Sequence, residues 1–448
     1  MRRRLAPLLI APTLFGCAPQ PMLGVPSDVT AEDWSRPAPA ATLSAEGGLG
    51  ALLGSAELAD LIDTALANNA ELLASGARVD QALALLKRAR TDALPVIGAS
   101  GAIGGARGLS GGALTDFDAS FAAIDATLDL DLFGRNAARR RSARERARAA
   151  GFDAQAIAVG VSVQVARAFV QRATLTRRLA LLDRSIAQAG ELDRILRVRQ
   201  REGVATRVDV GLQTIRLRQL QAERTRLVQA QDGTRTALAV LTGAEAPIFT
   251  VAAGDLATLR APAIVVPPPL ALAAGQPRIR AAEARIRAAG GDVDAARRAF
   301  YPSLRLSLGL SNGSGINPAT ALLQLGGSLL APIFGRGGLD ADLKLASAQQ
   351  REAVQLYRQA LLETFRDVED ALVAIEQAGE RERLLAEIER EARVTTGLAR
   401  RQYLEGDADL QRLLDAQDLL TAAEDAAALT TQERIEASLA LYAVIARR

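Results

Sequence analysis

Strict alternation of apolar and polar residues marks four short regions of the chain. In the clearest region every second residue is a leucine: Leu304, Leu306, Leu308 and Leu310. A period of two places all the leucines on one face of a β-strand and the small or polar residues on the other. The pattern predicts strands near 302–312 and 321–333, and two more near 95–108 and 118–132. A glycine-rich segment at 104–112 and residues 312–315 predict the hairpin loops between them.

Long stretches without proline follow each strand pair and show helical spacing. One apolar stripe has the 4-3-4-3 spacing of a helix face: Leu175, Leu179, Leu182, Ile186 and Ala189. A second stripe repeats every seven residues, which is typical of helices packed on neighbouring helices: Val354, Leu361, Val368 and Ile375. These patterns predict long helices over 135–201 and 338–402, each a rod about 100 Å long. Glycine-containing turns then reverse the chain into helices 207–242 and 409–446.

The same landmarks occur twice at a nearly fixed offset. Phe133-Gly134-Arg135 and Phe334-Gly335-Arg336 are 201 residues apart, and Pro95 and Pro302 are 207 apart. An internal period of this kind is the strongest available fold signal. It predicts a first repeat at 51–242, a second repeat at 270–448, and a proline-rich linker at 243–269 between them.

The N-terminus has the pattern of a secretory signal. Three arginines precede an apolar run over residues 5–15, which is too short to remain as a membrane-spanning helix. We predict a signal peptide at 1–16 and a lipidated, extended leader at 17–50. The run ending at Cys17 resembles a bacterial lipoprotein box, and Ala18 after it implies sorting to the outer membrane. An ordinary signal peptide with an incidental cysteine is the alternative.

Composition excludes most chemistry. The 448 residues include no histidine and one cysteine, and aromatic residues make up 3%. There is therefore no Ser-His-Asp triad, no histidine metal ligand and no cysteine metal cluster. We predict that the chain is not an enzyme and carries no metal and no cofactor apart from a covalent lipid on Cys17. The net charge of +3 without an aromatic platform also argues against nucleic acid.

Four amphipathic strands cannot close a barrel by themselves. An open sheet edge cannot lie in lipid, because its N–H and C=O groups would have no partners. The strands must then pair with those of other chains, and three chains give an even total of twelve. The expected fold is mostly α with β: a trimeric 12-stranded transmembrane β-barrel, with leucines toward lipid, continued by an α-helical coiled-coil tunnel in the periplasm.

This pattern resembles the TolC-like outer membrane efflux factor family, over residues 50–446. The resemblance rests on the strand openings at Pro95 and Pro302, the two Phe-Gly-Arg corners, and the segment 403–406 with 413–417 after it. With lipidation it is similar to the lipoprotein branch that serves resistance-nodulation-division pumps. It implies a homotrimer in outer membrane lipid, a periplasmic adaptor protein and an inner-membrane pump as partners.

The resemblance also implies two sets of site residues at the helix reversals. The tips that dock the adaptor are Gly203, Val204, Gly406 and Asp407. The periplasmic gate is assigned to Asp209, Arg412, Leu413 and Asp415. Leu413 is expected to be an apolar plug. Asp415 either lines the aperture or pairs with Arg412 across one helix turn.

The predicted function is passive export of small molecules through an outer membrane channel-tunnel, driven by the inner-membrane pump. Two alternatives remain open at this point. One is the same fold serving type I protein secretion. The other is a periplasmic coiled-coil adaptor or scaffold, which needs no lipid-facing strands.

Overall fold

A computed structural model describes residues 32–36, 48–110, 113–252, 254–314 and 320–446. The predicted signal peptide at 1–16 and Cys17 lie outside the described residues. The helices are α1 (Leu49–Leu53), α2 (Ala56–Asn68), α3 (Ala70–Thr91), α4 (Arg135–Arg201), α5 (Arg207–Leu241), α6 (Pro269–Gly275), α7 (Pro277–Arg298), α8 (Arg336–Glu405) and α9 (Leu410–Ile445). The strands are β1 (Val96–Ser110), β2 (Ala113–Leu130), β3 (Ser303–Ser314) and β4 (Thr320–Leu330). The prediction of a mostly helical chain with four strands and an internal repeat is confirmed.

The four strands form one antiparallel sheet in the order β1-β2-β3-β4. Its register separates two faces, because Leu128 lies opposite Leu306 and the adjacent Asp129 lies opposite Arg305. On the polar face, the Nε of Arg305 donates to the Oδ1 of Asp129 at 2.8 Å. In the part of the chain that the structure describes, the outer edges of β1 and β4 pair with no further strand.

The hairpins extend further than the sequence predicts. Residues 104–110 belong to β1, which pairs with β2 as far as Ser110 opposite Ala113. The predicted glycine-rich loop at 104–112 is therefore wrong for most of its length. Likewise β3 runs to Ser314, through residues predicted as a loop. The cross-strand ladder satisfies the backbone N–H and C=O groups of these segments, which outweighs the weak strand preference of glycine.

Helix bounds also differ from prediction at several ends. The first helix, α1, begins at Leu49 inside the predicted leader, and α8 begins two residues earlier and ends three residues later than the predicted 338–402. Short apolar α1 packs into the core, with Leu53 fully buried. Tertiary burial of this kind lets a five-residue helix form where the local sequence carries little signal.

Each Phe-Gly-Arg corner turns a strand into a long helix. Gly134 has φ 74° and Gly335 has φ 78°, a left-handed conformation that glycine adopts without strain. At the first corner, Phe133 stacks on Tyr301 with ring centroids 4.9 Å apart. Both carboxylate oxygens of Asp131 accept hydrogen bonds from the first backbone N–H groups of α4, at 3.0 and 2.8 Å. The corner is thus stabilised by stacking and by helix capping together.

Four helices lie side by side below the sheet in the order α3, α4, α7, α8. Helices α4 and α7 approach closely at Gly291, where a Cβ atom would lie 2.9 Å from the backbone N of Ser142 and 3.1 Å from the carbonyl O of Ala138. Arginines that start α4 use this side, since Arg146 donates to Asp292 at 2.6 Å. Arg146 is therefore paired across the contact between α4 and α7.

The main core lies midway along the long helices, between the two repeats. It includes Phe169 of α4, Leu238 of α5, Ile264 of the linker and Leu439 of α9. Arg172 holds the linker by donating to the carbonyl oxygens of residues 231, 251 and 252. Helix α4 contains an 18-residue stretch that is apolar enough to cross a membrane. The same helix contributes to this core, and 39% of the stretch is buried inside the chain.

Residues 34 and 35 of the predicted leader contact the linker and α8. The indole Nε1 of Trp34 donates to the carbonyl of Pro267 at 2.9 Å, and its ring meets Phe365 of α8 edge-on at 5.7 Å. Ser35 donates to the carboxylate of Glu369 through its backbone N at 2.8 Å. The leader therefore fastens the proline-rich linker to α8.

We predict that Gly291→Ala separates α4 from α7, because the added Cβ meets backbone atoms that cannot move independently. The expected destabilisation is about 1–3 kcal/mol. Gly233→Ala on α5 is the control, since its Cβ enters open space, and it should stabilise by about 0.5–1 kcal/mol. Thermal unfolding followed by circular dichroism measures both. Equal effects for the two variants would contradict this account of the contact.

Candidate functional site: the two helical tips

The chain reverses twice at the ends of its long helices. Gly203, with φ 77°, lies between α4 and α5, and Gly406, with φ 90°, lies between α8 and α9. The backbone N–H of Val204 donates to the carbonyl of Arg199 at 2.8 Å, and that of Asp407 donates to the carbonyl of Gln402 at 2.8 Å. These bonds satisfy the last carbonyl groups of each long helix. The four predicted tip residues are therefore turn residues in both repeats.

Asp209 and Arg412 occupy equivalent positions, three residues after the cap of their helices. In α5 the cap is Thr206. The backbone N–H of Thr206 donates to the Oδ2 of Asp209 at 2.8 Å, and the backbone N–H of Asp209 donates to the Oγ1 of Thr206 at 3.2 Å. In α9 the cap is Asp409, which accepts from the backbone N of Arg412 at 3.0 Å. Each helix start thus keeps one carboxylate at its positive end. In the first repeat this carboxylate is Asp209, at the third position after the cap. In the second repeat it is the cap residue Asp409, and the third position is Arg412.

Leu413 is a core residue of the tips. Its exposed fraction is 2%, and it packs with Leu196 of α4, Val210 of α5 and Tyr403 of α8. The expectation that Leu413 presents an apolar plug to an aperture is therefore wrong, because its surface is used between helices of its own chain. Sequence periodicity places a leucine on an apolar face but does not say which helix covers that face.

Arg412 and Asp415 lie at the surface. Among the described residues they form no ion pair with each other. Asp415 instead accepts from the Nε2 of Gln411 at 2.8 Å, one helix turn before it. The predicted pairing of Asp415 with Arg412 is not formed, and both charged groups face away from the tip core.

Two buried polar residues that the sequence prediction missed hold the helices of the tips together. Arg216 of α5 is 8% exposed, and its Nη1 donates to the carbonyl of Leu414 in α9 at 2.8 Å. Its Nη2 lies 2.9 Å from the Oδ1 of Asp418. Gln213, one turn earlier and fully buried, donates to the carbonyl of Ala189 in α4 at 2.7 Å. The Arg216 contacts link the α4–α5 hairpin to the α8–α9 hairpin, whereas the Gln213 bond joins α5 to α4 within the first hairpin.

The link is polar and incompletely satisfied. The Nε of Arg216 and the Oε1 of Gln213 are buried and have no hydrogen-bond partner among the described residues. Burial lowers the pKa of Arg216, and the nearby carboxylates of Asp418 and then Asp415 oppose that shift. The guanidinium remains charged, so its burial carries a desolvation cost. Such a link therefore contributes little net stability to the contact between the two hairpins.

A second link lies further from the tips. Arg178 of α4 donates to both carboxylate oxygens of Asp425 in α9, at 2.5 and 3.0 Å.

One sequence signal would have indicated the Arg216 link. The buried stripe of α5 passes from Val210 to Leu227 through Gln213 and Arg216, two polar residues at positions where an apolar residue is expected.

The fold and these tips define a class of protein. A sheet with one apolar and one polar face and two open edges sits above helical hairpins formed by helices of 67 and 70 residues. This is the subunit of a membrane channel extended by a helical tunnel. The chain belongs to the outer membrane efflux protein family, whose model matches residues 61–244 and 269–447. The two matched segments correspond to the two repeats.

Individual relatives agree with this assignment. The pyoverdine export outer membrane protein OpmQ of Pseudomonas putida is 32% identical over 403 residues, which cover 87% of this chain and 85% of that relative. The outer membrane protein OprJ of Pseudomonas aeruginosa is 29% identical, covering 92% and 88%. The open-state MtrE outer membrane channel of Neisseria gonorrhoeae superposes with a TM-score of 0.84 at 24% identity, covering 96% and 98%.

The chain is thus an outer membrane component of an efflux system, as the sequence predicts, and the alternative of a periplasmic adaptor or scaffold is wrong. The family consists of channel proteins.

We expect Arg216→Ala to loosen the tips, since it removes the buried link to Leu414 and Asp418. The measurement is amide hydrogen exchange of residues 410–420, which should become faster. Arg218→Ala is the matched control, because Arg218 lies on the same helix but is exposed, donates to Gln221 of its own helix, and makes no hydrogen bond or ion pair to α9 among the described residues. Unchanged exchange in the Arg216 variant would show that the link does not hold the hairpins together.

Proposed function

We propose that three copies of this chain form a closed 12-stranded barrel in the outer membrane, continued by a helical tunnel in the periplasm. The observation that carries the proposal is the four-stranded sheet with two open edges and a leucine face. In lipid each unpaired edge group costs several kcal/mol, so the edges of β1 and β4 require strands from other copies. Three copies supply the even strand number found in outer membrane barrels.

The channel conducts passively, and a partner provides the energy. The chain holds no catalytic constellation in the residues described above, so an inner-membrane pump drives export and a periplasmic adaptor protein connects the two. The adaptor docks on the tips formed by Gly203, Val204, Gly406 and Asp407. Exposed apolar side chains support this docking: Val204 is 72% exposed, and Val208, four residues later at the start of α5, is 68% exposed. Exposed apolar side chains that lie close together mark surfaces where partner proteins bind.

The resting channel is closed at the tips by the link from Arg216 to Leu414 and Asp418. Opening separates the α8–α9 hairpin from the α4–α5 hairpin, which breaks this link and lets water reach the guanidinium. The exposed charged groups nearby, Arg412 and Asp415 together with Asp209, line the aperture. Leu413 moves with the helices as part of the tip core.

A covalent lipid on Cys17 anchors the chain to the outer membrane. Trp34, which packs against Phe365 of α8, lies seventeen positions after Cys17. Phe365 lies 29 residues after the start of α8, or about 44 Å along the helix. An extended segment of seventeen residues reaches at most about 60 Å. The leader is therefore long enough for the anchor to reach the membrane next to the sheet.

Lipid labelling tests the anchor. Wild-type protein expressed with a radiolabelled or alkyne-labelled palmitate should incorporate the label, and Cys17→Ser should lose it, because Cys17 is the only cysteine in the chain. Outer membrane fractionation of the same cells is the second readout. Labelling that persists in the serine variant would reject Cys17 as the attachment site.

Planar-bilayer recording tests the channel and its gate together. Purified wild-type protein should migrate as a heat-sensitive trimer on gels and give a small resting conductance. Arg216→Ala and Asp418→Ala should each raise that conductance, because each removes one partner of the closing link. Arg218→Ala should leave it unchanged. A protein that stays monomeric and forms no pores would reject the channel, whereas pores insensitive to both substitutions would reject only the gate.

A further inference from the structure

The internal repeat makes pairs of helices directly comparable. Helices α3 and α7 both contain 22 residues, and their first and last residues each differ by 207. Helices α4 and α8 begin 201 residues apart, after the left-handed glycines Gly134 and Gly335. A position in α3 or at the start of α8 therefore has a defined counterpart in α7 or at the start of α4.

Within the chain the two repeats meet where α4 packs on α7. We call this contact the internal seam. Its α7 face is small and buried at every turn: Ala281, Ala284, Ala288, Gly291 and Ala295. Beside it, the guanidinium of Arg141 on α4 forms an ion pair with Asp294 on α7. The ion pair sets the register of two helices whose small side chains fit in several registers.

The counterpart of this α7 face is uncovered in α3. The corresponding residues are all exposed in the single chain: Ala74, Ala77, Gln81, Ala84 and Arg88. Helix α3 leads into β1 and helix α8 follows β4, so these two helices continue the two open edges of the sheet. A second copy that pairs its β4 with β1 must bring its α8 against the exposed face of α3.

The charged pair of the internal seam has counterparts of opposite sign. Arg141 of α4 corresponds to Asp342 of α8, 201 positions later, and Asp294 of α7 corresponds to Lys87 of α3, 207 positions earlier. We propose that Lys87 of one copy forms an ion pair with Asp342 of the next copy, at the position that Arg141 and Asp294 occupy inside the chain. Both are exposed, and neither forms an ion pair within the described part of its own chain.

Exchange of the signs gives the assembly its specificity. An α3 face carrying Lys87 meets a like charge, Arg141, if it packs on α4 of another copy, and an opposite charge, Asp342, only if it packs on α8. Like charges brought together across an interface disfavour the wrong partner. Each copy then offers α3 to one neighbour and α8 to the other, which is the head-to-tail contact that closes into a ring.

A charge-reversal cycle tests the pair. It rests on the trimer of the proposed function, so wild-type protein is measured first. The detergent-extracted Lys87→Asp and Asp342→Lys variants should each dissociate from trimer to monomer at a lower temperature than wild type. Each substitution places like charges at all three contacts between α3 of one copy and α8 of the next. The double variant restores opposite charges and should recover at least half of the loss.

Arg78→Asp is the matched control. Arg78 is also an exposed cation of α3. Its counterpart Arg285 pairs with Asp153 in the internal seam, but the position that corresponds to Asp153 in α8 is the uncharged Val354. The control reversal should leave the dissociation temperature close to that of wild type. A wild-type protein without trimers would reject the proposed assembly. Wild-type trimers without rescue in the double variant would reject this ion pair alone.

Discussion

Unpaired backbone groups at two sheet edges are the constraint on which the rest of this protein depends. The chain builds four antiparallel strands and leaves β1 and β4 with one free edge each. Water can satisfy such edges, but lipid cannot. The leucine face opposite the Asp129–Arg305 face places this sheet in lipid, so the subunit is incomplete until other copies supply strands. The helices below the sheet lie in the same order as the strands, because each strand is directly connected to one of them.

The two repeats share the same helices, strands and corners. They differ at positions where identical residues would allow the wrong helix faces to pair. Their corners have the same left-handed glycine, and α3 and α7 have the same length. At the seam positions, however, Arg141 corresponds to an aspartate and Asp294 to a lysine. At the tips, the carboxylate of Asp209 corresponds to Arg412, and the cap has changed from Thr206 to Asp409. A duplicated chain needs such differences, since identical faces would pair with each other in any combination.

The tips combine a small apolar core with polar links between hairpins. Leu196, Val210 and Leu413 hold the helices of one chain together, while Arg216 reaches a carbonyl and a carboxylate on α9. A guanidinium that is buried with one N–H unsatisfied contributes less net stability than apolar packing of the same volume. That balance suits the gate proposed for the tips, in which the hairpins separate while the helices stay folded.

Much of this architecture is determined by the sequence alone. Period-two alternation at Leu304–Leu310 identifies strands, and seven-residue spacing from Val354 identifies a helix packed on helices, because these periods follow from backbone geometry. The repeat offsets and the helix-ending glycines can also be read directly from the sequence. Contacts between distant segments cannot be read in this way. Only the tertiary structure shows that Leu413 is covered by its own chain, that Arg216 meets α9, and that glycine-rich residues 104–110 extend a strand. These outcomes depend on which surface comes to lie beside each residue, and a helical or strand period does not specify that neighbour.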